Sequence, residues 1–552
     1  MNQSITWKTL EELQEPFNDA VNYRTRPEKE FFNKIFLRTE ELKSCLKPSV
    51  YFVIGEKGSG KTAYAAYLES NELEETRCKL TTMTESQYKR FIALKKDGKL
   101  SYSDYANIWR PMLLHMTCQC ILDKSKNFFT NLTGKFSAIQ TEIARFNKNA
   151  LNPEVEVAFE AINEMALNTA IKNEHVGNIS ADFRTRDTDK TANIKHHLLE
   201  AETTLKTALS DLKLGNKHIL FIDGIDYRPE SVPYNDYLAC IKGLGEAVWQ
   251  LNNDFFGNIR DSKGRIKIVL LIRPDVFHAL NLYNSNSRLQ DNSVFLNWFT
   301  TEKEYRSSRL FEASGKYFSS QQATPISIES AFDQYFQTKQ SDQLFKRLLK
   351  NSFQKPRDIL TFIRIARNLQ IKKGQGNATC FPATISHDAV FTNEYSDYLL
   401  GEVRNYSAFY MEQQDFGKYL KFFQFLDGKM EFSFIEFSKA FQSFIAWAKG
   451  ENFVATDYLR DPEALLQFFY DVNLVGYKEQ GEAAGNKFFH WSFRERSLNN
   501  LAPKVKTSGG LMINPGIAKA IDIGVRMKSK QEPFEARRRP PSFQKSKGRR
   551  SR

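Results

Sequence analysis

The stretch "YFVIGEKGSGKTAYAAYLES", residues 51–70, indicates the fold of the chain around it. An apolar run ends at Gly55, and an alanine-rich segment that suits a helix begins near Lys61. Between them lies the pattern G-x-x-x-x-G-K-T, in which glycines permit a tight turn with positive φ. A strand, a glycine-rich loop and a helix, in this order, are the context in which the pattern binds phosphate.

The loop residues have distinct chemical roles in this prediction. Backbone N–H groups would surround a polyphosphate, and Lys61 would reach its β- and γ-phosphates. The Thr62 hydroxyl would bind Mg²⁺, and the N-terminal end of the helix would add partial positive charge. The predicted nucleotide-binding residues of the loop are Gly55, Glu56, Lys57, Gly58, Ser59, Gly60, Lys61 and Thr62.

The composition describes a large protein with a near-neutral body and a basic end. Of the net charge of +13 over 552 residues, +9 lies in residues 526–552 and +4 in the remainder. The basic segment is poor in apolar residues and rich in proline and serine, which predicts disorder. It would make nonspecific contacts with nucleic acid, or it would serve as a solubilising end.

The apolar runs and the cysteines exclude other classes of protein. No apolar run approaches the roughly 20 residues that span a bilayer, and the first residues lack a signal-peptide pattern. The six cysteines are scattered, and Cys118 with Cys120 does not make a zinc or disulfide framework. We therefore expect reduced cysteines, a cytoplasmic location and no contact with a membrane.

The fold class expected from the sequence is α/β, with a P-loop NTPase core built on a parallel sheet. The apolar runs 217–227 and 266–277 are typical of strands buried on both faces, and they would join residues 51–54. The expected units are a helical lead-in at 1–50, the core at 51–300 with a helical insertion at about 80–215, a helical small domain at 301–390, a helical and winged-helix-like domain at 391–525 and the tail at 526–552.

The winged-helix prediction depends on residues 461–477, which suit a helix, and on residues 487–496, which suit the wing. In that arrangement Trp491, Arg494 and Arg496 would face the phosphates of DNA. The same three residues would also suit a buried tryptophan with surface arginines.

Hydrolysis requires an acidic residue near the metal and a group that positions water. Asp223 ends the apolar run of "LFIDGID" (220–226), and we expect it to hold Mg²⁺ through water. Asp226 would orient the attacking water or stabilise the turn. Glu230 is the alternative base.

Several arginines are candidates for contact with the γ-phosphate. Arg273 follows a predicted strand, where it would sense the γ-phosphate or anchor a neighbouring helix. Arg306 and Arg309 share a helix face, so one would act as a finger toward a neighbouring subunit, or both would form salt bridges. Pro356 suits a helix start, and Arg357 after it would close over the nucleotide.

Four segments together resemble the STAND and AAA+ (origin-recognition-like) branch of P-loop ATPases: "GEKGSGKT" (55–62), "LFIDGID" (220–226), "LLIRP" (270–274) and "KPRD" (355–358). The chain from about 20 to 525 more closely resembles a family of bacterial P-loop ATPases found in mobile and anti-phage defence loci. That resemblance rests on "NSNSRLQDNSVFLNW" (284–298), "YRSSRLF" (305–311), "EYSDYLLGEVRN" (394–405) and "HWSFRERS" (490–497).

The resemblance implies that the loop binds ATP phosphates and Mg²⁺, that Asp223 has the Walker B role and that Arg273 is the sensor. One departure from the family's pattern bears on the rate of hydrolysis. STAND proteins often have a further acidic residue after the position of Asp226, whereas Tyr227 and Arg228 follow here. This departure is compatible with a slow switch.

The function predicted from these features is an ATP-driven conformational or oligomeric switch, in bacterial anti-phage defence. ATP binding would close the small domain, promote a homo-oligomer and license an effector encoded as a separate chain. The alternative is a DNA-dependent ATPase that contacts DNA through the C-terminal domain and the tail. A small-molecule kinase would fit the loop equally but would leave most of the chain without a role. The lack of an Asn-Lys-x-Asp guanine motif favours ATP over GTP.

Overall fold

A computed structural model describes residues 6–24, 26–83, 88, 104–125, 136–149, 190–230, 232–262, 264–480 and 487–523. The predicted basic tail lies outside the described residues. So does most of the polar stretch at 171–193 within the predicted insertion.

The centre of the fold is a five-stranded parallel sheet, so the chain has the expected α/β core. Its strands are β1 (Phe52–Gly55), β2 (Thr76–Thr82), β3 (Lys217–Asp223), β4 (Ile266–Ile272) and β5 (Ser293–Leu296). The strand order is β2-β3-β4-β1-β5, and every neighbouring pair is parallel. Because parallel strands end at the same edge, the segments that follow β1, β3 and β4 meet there.

Both faces of the sheet are buried, which explains the continuous apolar runs. Val53 of β1 packs into the core on one face, and its neighbour Ile54 packs into the core on the other. Lys267 is the charged exception within β4. Its Nζ donates hydrogen bonds to the carbonyl oxygens of Cys45 (2.7 Å) and Lys47 (2.6 Å), which fixes the N-terminal segment to the sheet.

The helices around the sheet include two within residues 1–50 and three within the described part of residues 80–215. They are α1 (Arg26–Ile35), α2 (Glu40–Ser44), α3 (Lys61–Ser70), α4 (Asp104–Ser125), α5 (Ser137–Asn149), α6 (Lys190–Ser210), α7 (Tyr234–Gln250), α8 (Pro274–Leu280) and α9 (Ser285–Asn292). Helices α4 and α7 contribute to the core on one face of the sheet, while α1 and α3 contribute to the core on the other.

The segment 301–390 is mainly helical, as the sequence predicted. Its helices are α10 (Arg309–Ser319), α11 (Ile328–Tyr335), α12 (Gln343–Lys350) and α13 (Pro356–Lys372). Proline occupies the first position of α13. The carboxylate of Asp358 accepts hydrogen bonds from the backbone N–H groups of Phe353 (2.9 Å) and Lys355 (3.2 Å). This contact fixes the direction from which the chain enters α13.

The C-terminal unit combines helices with a second, antiparallel sheet. The helices are α14 (Ala389–Ser407), α15 (Gln413–Leu420), α16 (Phe434–Ala448), α17 (Pro462–Asp471) and α18 (Ser492–Glu495). The strands are β6 (Glu431–Phe432), β7 (Val475–Gln480), β8 (Lys487–His490) and β9 (Gly510–Ile513), in the order β6-β9-β7-β8. The helix predicted over 461–477 is present but ends at Asp471, because residues 475–477 belong to β7. Strand β7 pairs antiparallel with β8 in the first part of the predicted wing (487–496), whose residues 492–495 form α18.

Two strands of the parallel sheet were not predicted from the sequence. The expected helical insertion from about residue 80 was wrong at its start, because residues 80–82 belong to β2. Strand β2 lies at one edge of the sheet, and its residues alternate between buried and half-buried positions. Strand β5 has four residues and lies at the other edge. Short or alternating edge strands give a weak hydrophobic signal.

Among the described residues, none of the helices combines the length and the apolar character that crossing a bilayer requires. All six cysteines are free thiols, five of them buried and Cys380 half-buried.

We predict that the packing of α10 against α11 does not tolerate a side chain at Gly315. A Cβ atom there would lie 2.4 Å from the carbonyl oxygen of Ile328. Gly315→Ala should therefore destabilise the protein by about 1–3 kcal/mol, seen as a lower urea midpoint. Gly417→Ala in α15 is the control, because a Cβ there meets nothing within 4 Å, and it should raise the midpoint. A Gly315→Ala protein as stable as the wild type would contradict this packing.

Candidate functional site

The loop between β1 and α3 turns through two left-handed positions. Gly58 has a φ of 82° and Gly60 a φ of 95°, values that other residues adopt only with strain. The Nε1 of Trp298 donates a hydrogen bond to the carbonyl oxygen of Ser59 (2.8 Å) and supports the turn from behind. The glycines thus allow the curled backbone that the sequence pattern predicted.

Lys61 is buried at the first position of α3, and its side chain points back across the loop. Its Nζ donates a hydrogen bond to the carbonyl oxygen of Gly55 (2.8 Å). The same Nζ lies 3.2 Å from Oδ2 of Asp226. The ammonium group therefore bridges the end of β1 and the segment that follows β3.

Thr62 and Asp223 are in direct contact, although 161 positions separate them in the chain. The Thr62 hydroxyl donates a hydrogen bond to Oδ2 of Asp223 (2.6 Å), while Oδ1 accepts one from the N–H of Gly224 (2.8 Å). Burial raises the pKa of Asp223 above its ordinary value, although the Thr62 hydrogen bond and the Lys61 charge oppose that change. A further cation at this position would stabilise the ionised carboxylate.

Asp226 has partners for both carboxylate oxygens. Oδ1 accepts a hydrogen bond from the backbone N–H of Arg273 (3.1 Å), and Oδ2 faces Lys61. The contact with Arg273 fixes the segment after β3 to the end of β4, and the two roles that the sequence left open for Asp226, stabilising the turn or orienting water, both stay predictions. Glu230, the alternative base, is exposed and does not line the cavity described below.

The γ-phosphate sensor expected at Arg273 does not fit the structure. Its guanidinium group is fully buried, and Nε and Nη2 donate to the two carboxylate oxygens of Asp275 (3.0 and 2.6 Å). Nη1 donates to the carbonyl oxygen of Tyr406 (3.1 Å). Arg273 therefore anchors α8 and α14 to the end of β4, which is the second role that the sequence allowed.

The two candidates for an arginine finger form ion pairs within the chain. Arg306 contacts Asp333 (2.8 Å) and Glu329 (3.4 Å), and Arg309 contacts Glu41 (2.6 Å). This arrangement is the salt-bridged alternative, and it gives no support to a finger at either position.

Arg357, which the sequence predicts to close over a nucleotide, lies against the loop. A Cβ atom on Gly58 would lie 3.2 Å from the Cβ of Arg357. Its Nε donates to the carbonyl oxygen of Asn18 (3.0 Å), and its Nη1 contacts Glu402 (3.1 Å). Helix α13, the N-terminal segment and α14 therefore meet at this side chain.

Glu56 connects the loop to the C-terminal unit, a contact that the sequence did not predict. Nη1 of Arg496 donates a hydrogen bond to Oε1 of Glu56 (2.6 Å), across 440 positions of the chain. The Nζ of Lys355 lies 3.8 Å from Oε2. Burial raises the pKa of Glu56, but the charges of Arg496 and Lys355 outweigh it and lower the pKa below its ordinary value.

Arg496 is only 1% exposed, so the DNA-contact interpretation of this residue is wrong. Besides Glu56, it donates hydrogen bonds to the hydroxyl of Tyr406 (2.5 Å) and to the carbonyl oxygen of Asp471 (3.2 Å). Trp491 is buried, as the alternative interpretation expected, but the surface position that the same interpretation gave Arg496 is wrong. Arg494 is half-buried, and its guanidinium lies 5.3 Å from the ring centre of Phe299.

The loop, the segment after β3 and the start of α13 line a cavity of about 380 Å³ at the carboxyl edge of the sheet. One end is polar and is lined by Lys57, Lys61, Thr62, Asp223 and Asp226. The other end is largely apolar and is lined by N-terminal and small-domain residues that include Phe17, Val21, Phe36, Leu310, Ala313 and Leu360. Volumes of 300–1,000 Å³ are typical of small-molecule sites. The N-terminal wall was not predicted, because nothing in residues 17–37 alone indicates a ligand.

The oxygen atoms at the polar end suit Mg²⁺ that arrives with a phosphate ligand. The described residues contain no group of three or more His, Cys, Asp or Glu that could hold a metal by themselves. Mg²⁺ commonly uses one or two carboxylates together with waters and substrate phosphates. Thr62 Oγ1 and Asp223 Oδ2 supply such a partial set.

No known protein-family model matches the chain, and no curated protein sequence matches it.

We predict that Arg496→Met weakens the attachment of the C-terminal unit, because it leaves the Glu56 carboxylate buried with Lys355 as its remaining cation. The loss should be about 3 kcal/mol, seen as a lower urea midpoint. Adding Glu56→Gln to this variant should restore part of the lost stability, since the charge of the Glu56 carboxylate is then removed. Arg460→Met is the control, because Arg460 is 78% exposed in its pair with Asp461. A double variant less stable than Arg496→Met would contradict the pairing.

Proposed function

We propose that the protein is a P-loop ATPase that binds ATP with Mg²⁺ and hydrolyses it slowly. The observation that carries the proposal is the convergence of Lys61, Thr62, Asp223 and Asp226 on the polar end of one cavity. A lysine and a hydroxyl at a helix start, opposite two carboxylates at a strand end, are the groups that phosphoryl transfer requires.

The phosphate-binding step follows from the contacts of Lys61. The ammonium group has Asp226 as its counter-charge, 3.2 Å away. A phosphate chain that enters the loop would replace Asp226 as the partner of Lys61, and the N-terminal end of α3 would add favourable charge. When bound, Mg²⁺ would neutralise charge on the phosphates, with Thr62 and Asp223 as its protein ligands.

Once phosphate replaces Asp226 as the partner of Lys61, Asp226 can act on water. Oδ2, released from Lys61, can accept a hydrogen bond from water, while the Arg273 N–H still holds Oδ1. Attack of the water oxygen on the γ-phosphorus forms one P–O bond and breaks the bond to the β–γ bridging oxygen. ADP leaves with that electron pair, and the water proton passes to Asp226. A base that must first exchange its lysine partner suits slow turnover.

The apolar end of the cavity supports a nucleotide as the substrate. Aromatic and aliphatic side chains such as Phe17, Phe36 and Leu360 line it, and a purine base has apolar faces that such a surface can cover. ATP is favoured over GTP in this proposal because no guanine-specific motif is present in the sequence.

The switch function is the role we propose for this activity. Its support is that two units outside the sheet contact the loop: Arg357 of the small domain and Arg496 of the C-terminal unit. A change in the loop on nucleotide binding would therefore alter both contacts. We propose that the C-terminal unit is winged-helix-like, with α17 and the β7–β8 hairpin as its helix and wing.

Other parts of the account stay predictions. They are self-association, a separate effector, a defence role and nucleic-acid contact through residues 526–552. The DNA-dependent alternative loses Arg496 as a phosphate contact, since that residue is buried.

We predict separate effects on binding and chemistry. Lys61→Ala should weaken MgATP binding by more than about tenfold, because it removes a charge-assisted contact with the phosphates. Asp226→Asn should retain binding but lower phosphate release by about 100-fold or more, because the amide cannot accept a proton. Calorimetric titration and phosphate-release assays measure these effects. Glu230, the exposed alternative base, supplies the control. Glu230→Gln should resemble the wild type in both assays. Unchanged hydrolysis by Lys61→Ala would contradict the proposal.

A further inference from the structure

Among the described side chains at the polar end of the cavity, one cation has no partner for its charge. Among the basic side chains that line the cavity, Lys61 pairs with Asp226 and Arg357 pairs with Glu402. Within the described residues, the half-buried ammonium of Lys57 has no hydrogen bond and no ion pair.

The surroundings of Lys57 make this lack of a partner unfavourable. Burial lowers its pKa to about 8, and the charges of Arg273 and Arg357 act in the same direction. Glu402 on α14 and Asp226 after β3 act in the opposite direction. A half-desolvated ammonium without a partner costs free energy that an anionic ligand would offset.

The position of Lys57 identifies the part of the ligand that it would contact. The backbone of such a loop surrounds the α- and β-phosphates, and the helix-start lysine reaches the β- and γ-phosphates. Lys57 precedes Gly58, which packs on Arg357 of the small domain. Asp226, the proposed acceptor of the attacking water, is also among its charged neighbours. These groups mark the terminal-phosphate end of the cavity.

We propose that Lys57 binds the terminal phosphate of a nucleoside triphosphate and thereby makes the site select the triphosphate over the diphosphate. This inference rests on the proposed nucleotide function. Lys57 is a specificity residue in this view, distinct from Lys61, which contacts both nucleotides. The ammonium carries its full charge in the complex, so triphosphate binding weakens as the pH rises above about 8.

Calorimetric titration of the full-length protein with ADP and with the β,γ-imido analogue of ATP, both with Mg²⁺, tests the inference. Lys57→Met should weaken analogue binding by about tenfold and ADP binding by less than about twofold, since one charge-assisted contact is lost. Lys57→Arg should retain the preference for the analogue. Lys350→Met, at an exposed lysine on α12, is the matched control and should resemble the wild type.

The pH dependence provides a second readout. Between pH 7 and pH 9 the wild type should lose up to about tenfold in analogue affinity relative to ADP, whereas Lys57→Arg should not, since arginine keeps its charge. Equal losses for both nucleotides in Lys57→Met, or no loss for either, would overturn the role of Lys57. A wild-type protein that binds neither nucleotide would instead overturn the proposed function itself.

Discussion

The buried ion pair between Glu56 and Arg496 holds the C-terminal unit against the loop on which the site is built. Buried ion pairs are a weak source of net stability, because desolvation offsets much of the attraction between the charges. Removing one partner is costly, however, so the pair allows few other arrangements of the two units. The pair matters because it fixes the C-terminal unit beside the loop.

The loop is also held from the side of the sheet. Thr62 binds Asp223, and Lys61 contacts Asp226, so the segment after β3 is fixed to the start of α3. The strand order places β4 between β1 and β3, and Arg273 at its end anchors Asp226 through a backbone N–H. The loop thus lies between the edge of the sheet on one side and Arg357 and Arg496 on the other.

The sequence was most informative where the deciding residues are close together in the chain. The loop, the helix after it and the apolar strands β3 and β4 could be predicted, because a glycine pattern and a continuous apolar run are local signals. Asp223 could be chosen as a candidate site residue because it ends the predicted strand. The edge strands β2 and β5 carry too little local signal and were not predicted.

The partners of long side chains could not be predicted from local sequence. A guanidinium can bind a phosphate or a carboxylate equally well, and the choice depends on residues that the fold brings near. Arg273 forms an ion pair with Asp275, two residues away, whereas Arg309 forms one with Glu41 on the N-terminal lead-in. For Arg496 the partner lies 440 positions away. The apolar wall at residues 17–37 likewise became part of a site only through packing.

The most direct test of the account is a crystal structure of the protein with Mg²⁺ and a nonhydrolysable ATP analogue. We expect the phosphates to lie within the loop, with Lys61 moved from Asp226 to the phosphate chain. We also expect Mg²⁺ beside Thr62 and Asp223, and the base against the wall formed by residues 17–37 and the small domain. A nucleotide bound elsewhere, or a Lys61–Asp226 pair that persists beside the bound phosphates, would contradict the account.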